Sequence, residues 1–178
     1  MKRYPAILAI VVTSVGVLAA QTPEMPKPGP ENEKLRAFVG NWKFEGEVKP
    51  GPMGPGGKMT GTDRIQWLPG NFFLERRFTG QGVMGEMQGI EILAYDPGKK
   101  VYTYNSFDSM GNIGSGTLTV SGTTWTASGT SNMGGKSLQD RCKLTFGAGG
   151  GTLAIACEMS ADGKAWTPTF EGKATKVK

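Results

Sequence analysis

Residues 136–160 read KSLQDRCKLTFGAGGGTLAIACEMS, and this stretch decides the fold. Leu138, Cys142, Leu144 and Phe146 share one parity, with Asp140 among them. Leu153, Ile155, Cys157 and Met159 share another. Successive side chains of a strand point to opposite faces, so each half reads as a strand with one apolar face. The glycine-rich tip between them is a hairpin turn. With Ala148 to Gly151 as the turn and Gly147 opposite Thr152, Phe146 faces Leu153, Leu144 faces Ile155, and Cys142 faces Cys157. One register aligns both apolar faces and both thiols, and a slip of one residue breaks both at once.

The same alternation runs from Trp42 to the C-terminus, in strands separated by short turns. The expected strands are 41–48, 60–68, 71–79, 86–95, 100–107, 113–120, 123–128, 136–146, 152–160 and 165–177. Lys49 to Gly57 (KPGPMGPGG) and Gly80 to Gly85 read as loops. Asp96-Pro97-Gly98 is a turn in which Asp bonds the backbone ahead, Pro presets φ and Gly takes positive φ. Ahead of the strands, Leu35, Phe38 and Val39 share one face of a short helix over 31–39, ended by Gly40. Such a helix is expected to plug one end of the sheet. Consecutive strands usually pair, and closure removes exposed edges. The expected fold is all-β: an antiparallel up-and-down β-barrel of about ten strands with a short N-terminal helix.

Residues 1–20 read as a secretory signal peptide. Met1-Lys2-Arg3 is the basic start, Ile7 to Ala20 the apolar run, and cleavage falls after Ala19 or Ala20. An uncleaved anchor is the other reading, although the run is short against the roughly 20 residues a membrane helix needs. Residues 21–30 (QTPEMPKPGP) form a Pro-rich linker, and 31–178 form one domain. The mature protein is thus expected to be secreted or periplasmic, with no membrane span once the signal is removed. Losing Lys2 and Arg3 takes the formal charge from +5 to +3. The basic residues are scattered and no aromatic stripe accompanies them, so nucleic acid is not an expected partner.

Cys142 and Cys157 are the only cysteines. In an oxidising compartment they form a cross-strand disulfide facing the interior, closing a loop of about 15 residues and stabilising by about 3 kcal/mol. Two buried free thiols are the alternative.

There is no histidine, which removes Ser-His and Cys-His catalysis and the commonest zinc and haem ligand. No cofactor, metal or catalytic residue is assigned. Asp63 and Asp140 fall on apolar faces, where a carboxylate must pair or stay protonated. With Glu75 they could perform acid/base work in a cavity, or they form structural ion pairs with Arg64, Arg76, Arg77 or Arg141. Met84-x-x-Met87 is the one close methionine pair, readable as a Cu(I) site or as packing. Trp42, Phe44, Trp67, Phe73, Tyr102, Tyr104, Trp125 and Trp166, with Phe170, are spread over many strands. In a barrel some converge on the interior, where they line an apolar pocket or fill it.

Gly40-Asn41-Trp42 resembles the G-x-W opening of lipocalin-like (calycin) barrels. Leu68-Pro69-Gly70-Asn71-Phe72-Phe73-Leu74-Glu75, Ala94-Tyr95-Asp96 with Tyr102, Phe107-Asp108-Ser109-Met110-Gly111 and Gly116 resemble the pattern of an exported bacterial family, domain of unknown function 1579. The resemblance spans roughly residues 35–173. It implies a calycin-type barrel without an assigned activity and supplies no catalytic residues. The related nitrobindin-like barrels hold haem iron with a His that this chain lacks. Lipocalins stack an Arg on the opening Trp; Lys173 or Lys176 is the candidate stand-in here.

The sequence therefore points first to a binding module that holds a small apolar or amphipathic (lipophilic) ligand inside the barrel. A structural or interaction barrel with a filled core is the alternative. A His-free, carboxylate-dependent enzyme is the second alternative. Oligomeric state and ligand identity stay open.

Overall fold

The computed structural model describes residues 25–51 and 54–177. The signal peptide expected over 1–20, the start of the linker and the middle of the 49–57 loop lie outside the described residues. Ten strands follow a short helix: α1 (Pro30–Lys34), a 3₁₀ turn (Leu35–Phe38), β1 (Gly40–Val48), β2 (Gly57–Trp67), β3 (Phe73–Gly82), β4 (Gly85–Asp96) and β5 (Val101–Asp108). Then come β6 (Ile113–Ser121), β7 (Thr124–Met133), β8 (Lys136–Phe146), β9 (Thr152–Ser160) and β10 (Thr167–Val177). Each strand pairs antiparallel with its sequence neighbours, and β1 pairs with β10 to close the barrel. The all-β, up-and-down expectation holds.

The β8–β9 register is the one the alternation dictates: Phe146 opposite Leu153, Leu144 opposite Ile155, Cys142 opposite Cys157. The two cysteines are joined as a disulfide, with Cα atoms 4.1 Å apart. Such closeness suits a non-hydrogen-bonded antiparallel pair.

Three local expectations are corrected. The helix expected over 31–39 is split, because Pro30 opens the α-helix and the chain tightens into 3₁₀ geometry at Leu35. The loop expected at Gly80–Gly85 is mostly strand, with Gly82 opposite Gly85 and only Val83 and Met84 in the turn. β7 runs on to Met133 rather than stopping at Ser128, because Gly129 to Asn132 pair with β6 despite their polarity.

The N-terminal segment closes one end. Leu35 and Phe38 are buried against Trp42, Leu74, Leu93, Tyr102, Leu118, Trp125 and Phe146. Phe38 meets Trp125 and Phe146 edge-on, each at 5.1 Å between ring centroids. Hydrogen bonds fix the plug: Trp42 Nε1 donates to the Phe38 carbonyl at 2.8 Å, and the Tyr102 hydroxyl donates to Glu31 Oε2 at 2.6 Å. Asn32 Nδ2 donates to the Phe72 carbonyl at 3.2 Å, tying α1 to the β2–β3 turn. Each large apolar side chain buried here contributes roughly 1.5–3 kcal/mol.

No helix among the described residues is long and apolar enough to cross a membrane. The outward positions of β1 to β3 carry Lys43, Glu45, Thr62, Arg64, Arg77 and Thr79. A barrel that spans a bilayer instead presents an apolar band on that outer face.

Candidate functional site

Above the plug the barrel is hollow. A cavity of about 420 Å³ runs from Phe38 and Trp42 at the closed end to Val48, Met87 and Thr169 at the other. Its size falls within the range of small-molecule sites. One wall is apolar, built from Phe44, Met59, Leu144, Ile155, Met159 and Phe170, with the Cys142–Cys157 disulfide set into it. The other wall is polar.

Glycine keeps the lumen open. Tyr104 on β5 lies flat along the wall over Gly116 of β6 and Gly129 of β7. A Cβ on Gly116 would sit 2.8 Å from Tyr104 Cε1, and one on Gly129 would collide with the hydroxyl. The backbone is nearer still: a Cβ on Gly116 would run into the Ser128 carbonyl and one on Gly129 into the Ser115 carbonyl, so neither position accepts a side chain without shifting both strand and ring. Phe44 lies over Gly61, Phe78 over Gly89, and Phe170 over Gly172 in the same way. These rings line the lumen without filling it.

Tyr104 thereby reaches across two strands to β8. Its hydroxyl donates to Asp140 Oδ1 at 2.7 Å, and Ser131 Oγ donates to Asp140 Oδ2 at 2.8 Å. Burial, and then this bond to Asp140, push the Tyr104 hydroxyl pKa far up, so it stays a donor. Opposite, Arg76 donates through Nε at 3.0 Å and approaches through Nη2 at 2.9 Å to Asp63 Oδ1. Its Nη1 is 3.5 Å from Glu91 Oε1. Burial opposes the Arg76 charge, and the Asp63 and Glu91 carboxylates more than offset it, so its pKa is raised. Burial also pushes the Glu91 carboxyl up, against the pull of Arg76.

The residues singled out from sequence divide into three groups. Trp42, Phe44 and Tyr104 line the cavity, with Asp63, Asp140 and Phe170. Tyr102 and Trp125 belong to the packed end, meeting edge-on at 4.8 Å. Trp67 packs there too, its Nε1 buried without a hydrogen-bond partner among the described residues. Phe73 and Trp166 stand outside. Phe73 is 46% exposed, and Trp166 lies under the Arg141 guanidinium, which sits 3.9 Å from its ring centroid.

Glu75 is likewise not with Asp63. It alternates with Leu74 and Arg76, so it takes the other face of β3, where it is buried and bonds Arg77 and Gln66. The Asp63–Glu75 acid/base pairing is therefore corrected: the two carboxylates are on opposite faces of the wall. Of the four candidate arginines only Arg76 reaches inside; Arg77 pairs with Glu75 and Arg141 with Glu158. Met84 sits exposed in the β3–β4 turn while Met87 points into the lumen, so the methionine pair does not converge. Among the described residues no group of His, Cys, Asp and Glu is arranged to hold a metal ion. Lys176, not Lys173, covers Trp42, with Nζ 4.8 Å from the ring centroid; Lys173 pairs with Glu45.

Sequence reasoning missed Glu91. Its parity partners Met87, Leu93 and Tyr95 were a signal, but Ile90 and Ile92 make the other face of β4 equally apolar. The register with Arg76 on β3 breaks the tie.

A search of curated proteins returns no match. Among solved structures, Rv2717c from M. tuberculosis superposes with a TM-score of 0.62 at 16% identity, covering 84% of this chain and 99% of that one. At that identity the likeness shows the fold. A de novo designed fluorescence-activating β-barrel matches at a TM-score of 0.42 and 18% identity, over 80% of this chain and 95% of the design. That match is too loose to carry an argument. The model of the DUF1579 family, described as proteins of unknown function, matches residues 27–176, and the chain belongs to that family.

Proposed function

We propose that this barrel is an exported binding module that holds a small apolar or amphipathic molecule in its lumen. The observation that carries this reading is the preformed cavity of about 420 Å³ above a solid floor. Its aromatic lining rests on wall glycines rather than on facing side chains. A barrel whose role lay only on its surface would gain stability by filling that space, since interiors are normally close-packed. Ligand entry is expected at the end away from the helix, where Met59, Met87 and Phe170 form the rim.

Export is part of the same proposal. The basic start and apolar run of residues 1–20 support it, as does the joined Cys142–Cys157 pair, which suits an oxidising compartment. N-terminal sequencing of protein taken from its native source should begin at residue 20 or 21; a start at Met1 would count against export.

The binding reading is tested by native mass spectrometry of the source-purified protein together with titration of apolar probes. Saturable one-to-one binding, with quenching of fluorescence from Trp42 in the cavity wall, is the expected outcome. No retained molecule and no saturable binding would overturn it.

A further inference from the structure

We propose that the lumen selects an amphipathic cation: an amine or ammonium head on an apolar body. This inference rests on the binding reading above and deepens it. The cavity is polarised across its width. Phe44, Ile155, Met159 and Phe170 form the apolar side, while Asp63, Arg76, Glu91, Tyr104, Ser131 and Asp140 form the polar side. Three carboxylates thus face a single guanidinium. Glu158, near the rim, is already paired with Arg141.

The arrangement of hydrogen bonds sharpens this. Among the described residues Arg76 is the only basic side chain lining the cavity, and its charge is already matched: Asp63 meets its Nε and Nη2, and Glu91 its Nη1. A carboxylate- or phosphate-headed lipid would find no free cation and would be set among like charges. Asp140 receives the Tyr104 and Ser131 hydroxyls, one on each oxygen, and each carboxylate oxygen has a second lone pair to offer. Glu91 meets Arg76 at Oε1, and Oε2 is its second acceptor. An ammonium placed between Glu91 and Asp140 would have carboxylate acceptors on both sides, and it would supply the positive charge that the buried wall lacks. Unpaired buried charge is costly, so an occupant that pairs it gains where a neutral one does not. The apolar body would then lie along Phe44, Ile155 and Phe170.

Three probes of equal chain length separate the terms: decylamine, decanol and decanoate, titrated into the mature protein by calorimetry at pH 7. The expected order is decylamine tightest, at least tenfold over decanol, with decanoate weakest. Glu91→Gln should collapse the amine-to-alcohol ratio toward one. Asp140→Asn, which keeps the shape of the acceptor, should do the same and covers the case in which the first variant folds poorly. Equal binding of all three probes, or decanoate binding tightest, would overturn the cation inference and leave the binding module standing. Binding of none would overturn both. An amine preference unchanged in both variants would also overturn the inference, because the selectivity would then come from elsewhere.

Discussion

The two ends of this barrel are made by the same alternation yet differ in kind. At the helix end the inward positions carry Trp42, Leu74, Leu93, Tyr102, Leu118, Trp125 and Phe146, and they close on Leu35 and Phe38 as a solid floor. Halfway up, the inward positions of neighbouring strands carry Gly61, Gly89, Gly116, Gly129 and Gly172, and the rings beside them lie flat. Period two decides only which face a residue takes. The volume at each inward position decides whether that face packs or encloses space. The difference teaches that a barrel can hold its stability at one end and its capacity at the other.

Truncation should separate the two most widely. Trp125→Ala removes a ring that is 2% exposed and pinned between Phe38 and Tyr102. It should cost about 3–5 kcal/mol in urea denaturation. Ile155→Ala borders existing empty space, so it should fall at or below the low end of the usual range for such a change, about 2 kcal/mol. Equal losses would mean the lumen is as tightly packed as the floor.

The disulfide sharpens the same contrast, because it ties the wall at lumen level. Replacing Cys142 and Cys157 together with serine should lower stability by about 3 kcal/mol for this 15-residue separation. Near-UV circular dichroism from the floor aromatics should persist in the folded double variant. Loss of that signal would show that the floor depends on the wall.

Gly129→Ala tests the glycine lining. The added methyl collides first with the Ser115 carbonyl of β6 and then with the Tyr104 hydroxyl, so the β6–β7 pair must shift and the ring must give up its bond to Asp140. The expected cost is about 1–3 kcal/mol, with probe affinity falling while the floor stays intact. Unchanged affinity would mean that the glycines are not what keeps the lumen open.

The smallest effect is a pH dependence. Burial raises the Glu91 pKa in the folded state, so its ionised form costs stability above that pKa. The cost fades as pH falls through the folded value toward the unfolded one, near 4.5. Glu91→Gln should therefore raise Tm at pH 8 and leave it nearly unchanged at pH 4. The gain is expected to be a few degrees, at ~2–4 °C per kcal/mol for a chain of this size. A gain that is the same at both pH values would refute the assignment to ionisation.

How far the sequence carried these conclusions varies by element. β8 and β9 were legible down to the cysteine pairing, because Leu144, Phe146, Leu153 and Ile155 alternate without competitors. Asp63 and Asp140 were placed inside by the same parity. Phe73 misled because it adjoins Leu74 at the strand start, where two large apolar neighbours compete for the inward position. Trp166 misled because the register shifts between Pro168 and Phe170, and a bulge there uncouples sequence parity from facing. The end of β7 looked like a loop because its inward residues are Gly129 and Ser131, chosen for a polar lumen rather than for packing. The candidate site was therefore only half readable: its aromatic members announce themselves, while its small and charged members resemble turns and surface.

Xenon settles against apolar cavity walls and is excluded from filled cores, so diffraction from xenon-pressurised crystals of the mature protein is the most direct test. The account predicts xenon density in the lumen between Phe44, Ile155 and Phe170, or a bound molecule already occupying it, and none beneath Phe38. A lumen closed by its own side chains, with neither xenon nor ligand, would contradict it.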